Sequence, residues 1–358
     1  MFSDGVITKI GNAQEEDLVN LPDGVMVFPA FIDEHIHGAG GSDVMDGSVD
    51  GLKNMAKTLL KEGTTCFLAT TMTQSKPNIL KALRAARDYK RLNCEDGAEV
   101  LGVHLEGPYI SEKYAGAQPK EFIVKPTEEE FLEYYNASGG LIKIVTLAPE
   151  EAGGDFIEYI KGLGIIPSVG HSAAKRKDVK EALSFGLSSV THTFNAQTPL
   201  HHRDIGVVGS SLYEDELYCE VICDTVHVSP SAIKLLIKIK PKGKIILITD
   251  AMRAKGCGDC VSELGGQKVI VSNGEARLFS GALAGSVLKM NDAIKNLVNL
   301  GVPLLDAIDF ATKNPAIHLG VYDKRGSVAV GKIADFVLLD EDFNVYRTIK
   351  NGKVVYKR

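Results

Sequence analysis

Eight short apolar runs rich in β-branched residues, each leading toward a stretch with helical spacing, leave this chain few folds to choose from. The runs cover residues 27–37, 64–70, 100–106, 141–147, 165–169, 189–193, 218–224 and 244–250. Strands that are apolar along their whole length belong to parallel sheets covered on both faces, and a helix between them supplies the right-handed crossover. The pattern predicts an α/β protein built as a (β/α)8 TIM barrel. Helix starts support it: Thr127 with Glu130 three residues on reads as a capping box, and Ser229-Pro230 as a cap followed by proline at the first helical position.

Both chain ends depart from this rhythm. Residues 5–10 and 24–28 are short alternating segments on either side of the acidic stretch 15–17, and the tail from Gly326 returns to strands with an Asn351-Gly352 hairpin signal. The expected division is a small β-sandwich-like domain from residues 1–28 and 319–358, and a barrel from 29–318. A β-hairpin insertion is expected near 256–280, around Gly265-Gly266 and Asn273-Gly274.

In a barrel, catalytic groups sit at the C-terminal strand ends, and here the polar residues gather there. His35 and His37 alternate at the end of the first strand and so share a face. Glu106 ends the third, His171 the fifth, His192 the sixth and Asp250 the eighth; four of only nine histidines occupy such ends. Imidazole and carboxylate suit a borderline divalent metal, and a catalytic site needs about three protein ligands with a position left for water. Glu106, His171 and His192 supply that count. His104 shares the face of Glu106 but lies deeper, which suits support better than ligation. Asp250 is placed to accept and return a proton.

The elements H-x-H at 35–37, His-Leu-Glu-Gly-Pro at 104–108, Gly-His-Ser at 170–172, Thr-His-x-x-Asn-Ala at 191–196, Thr-Asp-Ala at 249–251 and Gly331-Lys-Ile-Ala-Asp335 resemble the amidohydrolase superfamily. More narrowly they resemble the N-acetylglucosamine-6-phosphate deacetylase family, over residue 29 to the C-terminus. The resemblance implies metal-dependent hydrolysis of the acetamide of a 6-phosphorylated amino sugar. It implies Glu106, His171 and His192 as main metal ligands, Asp250 as catalytic acid and base, and one or two divalent ions per subunit, zinc or iron, with His35 and His37 available to a second. Many relatives carry a carboxylated lysine at the fourth strand end; Lys143 lies too early in its strand for that, and Glu106 stands in its place. Substrate contacts implied are Asn195, Ala196, Asp224, His227, Leu283, Ala284 and Gly285, with Arg203 and His227 on the phosphate. Arg203 would serve the neighbouring subunit's site, hence a homodimer. Where some members place a histidine, Ala117-Gln118 stands, so an amide would donate to the acetyl carbonyl. The alternatives are an amidohydrolase acting on a cyclic amide or dipeptide, and a non-catalytic sugar-binding barrel.

Composition removes other classes. A net charge of −6 with mixed signs gives no footprint for nucleic acid, and no apolar run is long enough for a bilayer. With no secretory pattern at Met1, a cytoplasmic protein is expected. The Cys257-x-x-Cys260 pair has no second pair at ribbon spacing and reads as structural.

Overall fold

The computed structural model describes residues 1–11 and 21–358; the acidic stretch 15–17 lies outside them. Eight parallel strands follow one another in chain order: β1 (Phe31–Ile36), β2 (Thr64–Thr71), β3 (Glu99–Glu106), β4 (Ile142–Leu147), β5 (Ile166–Val169), β6 (Ser189–Val190), β7 (Tyr218–Ile222) and β8 (Ile245–Ile248). The ring closes between β8 and β1. There the Asp250 N–H donates to the His35 carbonyl and the His37 N–H to the Ala251 carbonyl, both at 2.9 Å. Closure therefore sets the last strand's carboxylate against the first strand's two histidines. The expected TIM barrel is the observed architecture, and nearly every strand residue is buried, as a sheet roofed by helices requires.

The helices Val49–Leu60, Lys76–Leu92, Glu128–Ala137, Gly154–Gly162, Arg176–Phe185 and Pro230–Ile239 each follow a barrel strand, as the expected architecture requires. Thr127 accepts from the Glu130 N–H, but Glu130 does not complete the capping box, because its carboxylate accepts from the Tyr109 hydroxyl at 3.3 Å. Two elements differ from the reading. Regular pairing in β6 stops at Val190, since the chain beyond it turns left-handed at His192, Phe194 and Ala196. A helix at Gly206–Tyr213 was invisible to periodicity: all but its last residue are buried, so no polar face marks it.

The insertion after β8 has three antiparallel strands rather than two, Cys260–Leu264, Gln267–Ser272 and Glu275–Leu278. Both glycine turns read from the sequence are present, and each makes its own hairpin. Leu264, Val269, Val271 and Ala276 pack with Met72, Met252 and Ala284, which fastens the insertion over the strand ends. Both termini share a four-stranded antiparallel sheet: Met26–Pro29 pairs with Phe336–Leu339, then come Val345–Lys350 and Lys353–Lys357. We propose that residues 1–28 and 319–358 form a domain distinct from the barrel at 29–318. Among the described residues no helix is long and apolar enough to cross a membrane.

One glycine pins the first strand's arm. A Cβ on Gly38 would stand 2.4 Å from the Ser42 carbonyl oxygen and 2.7 Å from the Arg253 nitrogen, both backbone atoms. No rotamer change relieves that overlap. Gly38→Ala is expected to cost about 1–3 kcal/mol, the usual penalty of overpacking. Urea melts check it: the midpoint falls with the m-value unchanged, and an unaltered midpoint contradicts the close approach.

Candidate metal centre and active site

Backbone strain marks the site first. His171, His192 and Asp250 have φ of +47°, +31° and +47°, a region that costs non-glycine residues about 1–3 kcal/mol each. All three stand just past barrel strands, where the left-handed turn sends the chain away from the sheet while the side chain stays in the mouth. Behind His171, Gly170 lets the strands close up, as a Cβ there would lie 2.7 Å from Thr146 Cγ2 and 2.8 Å from Thr191 Cβ.

Three donor atoms converge. Glu106 Oε1 lies 3.0 Å from His192 Nε2 and 3.2 Å from His171 Nε2, and the two Nε2 atoms are 3.1 Å apart. The His171 Nδ1–H donates to the Tyr114 carbonyl at 2.9 Å, so in the neutral ring Nε2 presents a lone pair to a carboxylate and to a second imidazole. Such a meeting is repulsive without a cation. With 2.0–2.1 Å bonds, neighbouring ligands of a tetrahedral ion stand about 3.3 Å apart, close to the separations found. The residues present therefore fit a divalent ion.

A second arm leans on the same carboxylate. His37 Nε2 is 3.3 Å from Glu106 Oε2 and 3.2 Å from Asp250 Oδ1. His35 Nε2 is 3.5 Å from both Glu106 Oε1 and Asp250 Oδ1, is wholly buried, and has no hydrogen-bond partner. This second arm and Asp250, just past the eighth strand, thus also bring a donor set together, with Glu106 between the two sets.

Other side chains hold these in place. Gln118 accepts the Thr73 N–H at 2.7 Å, which fixes its amide orientation and turns its NH2 to Glu106 Oε2, also at 2.7 Å. Glu220, mid-strand in β7, accepts from His35 Nδ1–H at 2.9 Å and from the His192 N–H at 3.1 Å. His104 uses both nitrogens, at the Glu34 carbonyl and Thr146 Oγ1, and a hydroxyl chain continues from Thr146 through Thr191 to Ser168. With neither nitrogen spare, His104 supports the floor of the site.

The electrostatics follow from this crowding. Burial opposes charge on the His35 ring, yet Glu220, Asp250 and Glu106 lift it to about 9. Burial alone would raise Asp250, but His35 and His37 hold it down to about 2. Against the same opposition from burial, Glu106 is held well below the usual carboxylate range by His35, His171 and His192. Burial and the neighbouring His35 charge push His104 down to about 4, in keeping with a neutral ring.

Above the donors lies a cavity of about 220 Å3. Of the residues expected to meet substrate, Ala117, Gln118, Asn195, Ala196, His227, Leu283 and Gly285 line it. Asp224 lies behind His227, its Oδ2 accepting from Nδ1–H at 2.6 Å, while Ala284 is buried in the apolar cluster of the insertion. Arg203 is not brought in: it is exposed, beside His202 and the helix at Arg176–Phe185. Sequence reasoning passed over Met72, Gly116 and Leu264 in the lining, and Glu220 and Tyr114 beneath it. Glu220 had a signal, a carboxylate inside an apolar strand; the carbonyl of Tyr114 and the insertion's Leu264 had none.

Comparison with known proteins agrees with this geometry. The amidohydrolase family model matches residues 26–355. The chain is 43% identical to an N-acetylglucosamine-6-phosphate deacetylase of Bacillus subtilis (strain 168), over 99% of this chain and 92% of that protein. It is 37% identical to an N-acetylgalactosamine-6-phosphate deacetylase of Escherichia coli O157:H7, over 99% and 93%. Among solved structures, an N-acetylglucosamine-6-phosphate deacetylase of Thermotoga maritima superposes with a TM-score of 0.90 at 37% identity, covering 100% of this chain and 94% of that one. On the barrel, the converging donors and these likenesses together, the chain belongs to the amidohydrolase family and groups with its N-acetylglucosamine-6-phosphate deacetylases.

Proposed function

We propose that this protein hydrolyses the acetamide of N-acetyl-D-glucosamine 6-phosphate to acetate and D-glucosamine 6-phosphate, in amino-sugar catabolism and cell-wall sugar recycling. The observation that carries the reading is the meeting of Glu106, His171 and His192 within 3.0–3.2 Å beneath a cavity that Asp250 also lines. The relatives point the same way and favour neither a cyclic-amide or dipeptide hydrolase nor a non-catalytic barrel.

Glu106, His171 and His192 would hold the principal ion, zinc or iron; His35 and His37, with Glu106 and Asp250, would hold a second. When bound, such an ion polarises a carbonyl and makes water more acidic. Asp250 takes a proton from the attacking water and delivers it to the amide nitrogen as the C–N bond breaks, because an amide anion is too basic to leave unprotonated. Gln118 spends one N–H on Glu106 and keeps the other for the acetyl carbonyl. Asn195, Ala196, Leu283, Ala284 and Gly285 shape the sugar's seat. His227, raised above its ordinary value by Asp224 in spite of burial, is a cationic donor for phosphate.

A phosphate dianion calls for more positive charge than one imidazolium, and among the described residues neither lysine nor arginine lines the cavity. Arg203, which the family resemblance assigns to the phosphate, would supply that charge to the site of a partner subunit in a homodimer. Losing a charged hydrogen-bonding group costs about 1.5–3 kcal/mol, so Arg203→Ala should raise KM for the phosphorylated sugar roughly 10- to 150-fold and leave the unphosphorylated one unaffected. Mixing Arg203→Ala with Asp250→Asn subunits should regenerate one complete site per mixed dimer. Absence of recovered turnover would place Arg203 elsewhere. Acetate release from N-acetylglucosamine 6-phosphate tests the reaction itself, with N-acetylgalactosamine 6-phosphate alongside because one relative is named for it. A sugar phosphate does not cross membranes, which suits a cytoplasmic enzyme.

A further inference from the structure

Glu220 is a whole carboxylate sealed inside the barrel, and the reaction as derived gives it no task. Its Oε2 accepts two hydrogen bonds, from His35 Nδ1–H at 2.9 Å and from the His192 N–H at 3.1 Å. Its own backbone carbonyl accepts the Thr193 N–H at 2.8 Å, so β7 grips the end of β6 at the same point. The other carboxylate oxygen, Oε1, has no hydrogen-bond partner and stands 3.9 Å from His104 Nδ1, which already donates to the Glu34 carbonyl. Although His35, His104 and Glu220 lie close enough together to resemble a ligand set, His104 has no nitrogen to offer. Of the histidine rings around it, Glu220 hydrogen-bonds that of His35 alone.

That contact decides which nitrogen of His35 carries the proton. In the neutral ring that a bound cation requires, a carboxylate at Nδ1 keeps the one proton there and leaves Nε2 with its lone pair, 3.5 Å from Glu106 and 3.5 Å from Asp250. A lone pair facing two carboxylates in a dry interior has one good use. We infer that Glu220 is a positioning residue that turns the His35–His37 arm into a cation subsite, by orienting His35 and making its Nε2 more basic. The inference rests on reading that arm as ion-binding.

In Glu220→Gln the amide oxygen still accepts from the His192 N–H, so the principal donor set is undisturbed, but the charge behind His35 is gone. Loss of such a supporting group weakens an ion by about 10- to 100-fold. Metal-free wild type and variant are titrated with Zn2+ by calorimetry, and bound metal is counted after dialysis. Expected are two binding steps in wild type; in Glu220→Gln the tighter step is unchanged and the weaker one is displaced 10- to 100-fold. Glu220→Asp, which keeps the charge but withdraws it by one methylene, should fall between and serves if the amide variant does not fold. Two unchanged steps in the variants overturn the role of Glu220 and leave the two-ion reading standing. A single step in wild type overturns both.

Discussion

Asp250→Asn is expected to lower kcat by about 10^3–10^4-fold on N-acetylglucosamine 6-phosphate while the ion on Glu106, His171 and His192 stays bound. General acid–base groups contribute about 10^2–10^4, and Asp250 is asked to work twice, accepting a proton from water and returning it to nitrogen. Asparagine has the same shape and can keep the backbone turn, since the residue type tolerates φ near +47° better than most. It cannot take up a proton. The side chain lies among His35 and His37, not between His171 and His192, so the principal donor set does not depend on it. Metal analysis after dialysis, beside kcat on the phosphorylated sugar, separates the two effects. Turnover within tenfold of wild type would remove Asp250 from the proton path.

How much of this could be read beforehand depends on what each feature leaves in a sequence. The barrel was legible because parallel strands under helices must suit burial along their length, and β2 is buried throughout and β4 at every residue but Lys143. The donors were legible because a strand end fixes both position and face: His35, His37, Glu106, His171, His192 and Asp250 do meet in one mouth. What hid was whatever depends on contacts between distant segments. Gln118 reads as a carbonyl donor in sequence, but nothing there shows that its oxygen is held by Thr73 and one of its N–H groups by Glu106, a triangle drawn from separate loops and a strand. The hydrogen bond from His171 to the Tyr114 carbonyl belongs to the backbone and has no residue type to betray it. The Gly206–Tyr213 helix failed for the opposite reason, as burial on every side erases the period by which helices are recognised.

The same network makes a sharp prediction for Glu106. In Glu106→Gln the new amide has its orientation dictated from behind: Gln118 offers an N–H to the Oε2 position, so the oxygen must turn there and the NH2 must face His171 and His192. The His171 Nε2 lone pair, set against a carboxylate in the metal-free wild type when the ring is neutral, then receives a donor. The variant's metal-free form is satisfied, and its ion site is blocked by the very hydrogens that satisfy it. A structural zinc site contributes about 10–16 kcal/mol over four ligands, so one lost ligand is worth about 3–4 kcal/mol, or two to three orders of magnitude in affinity. Turnover should fall at least as far. The measurement that isolates the cause is thermal melting with and without Zn2+. At a thousand times its dissociation constant an ion stabilises the folded state by about 4.1 kcal/mol. With an unfolding entropy of about 2.1 cal/mol/K per residue, that is a shift of roughly 5 °C for a chain this long. Wild type should show the shift. At the same zinc concentration Glu106→Gln should shift by no more than about 2 °C, and its metal-free form should melt no lower than metal-free wild type. An undiminished zinc shift in the variant would mean that Glu106 is not a ligand, and that the 3.0–3.2 Å meeting of the three donors reflects packing alone.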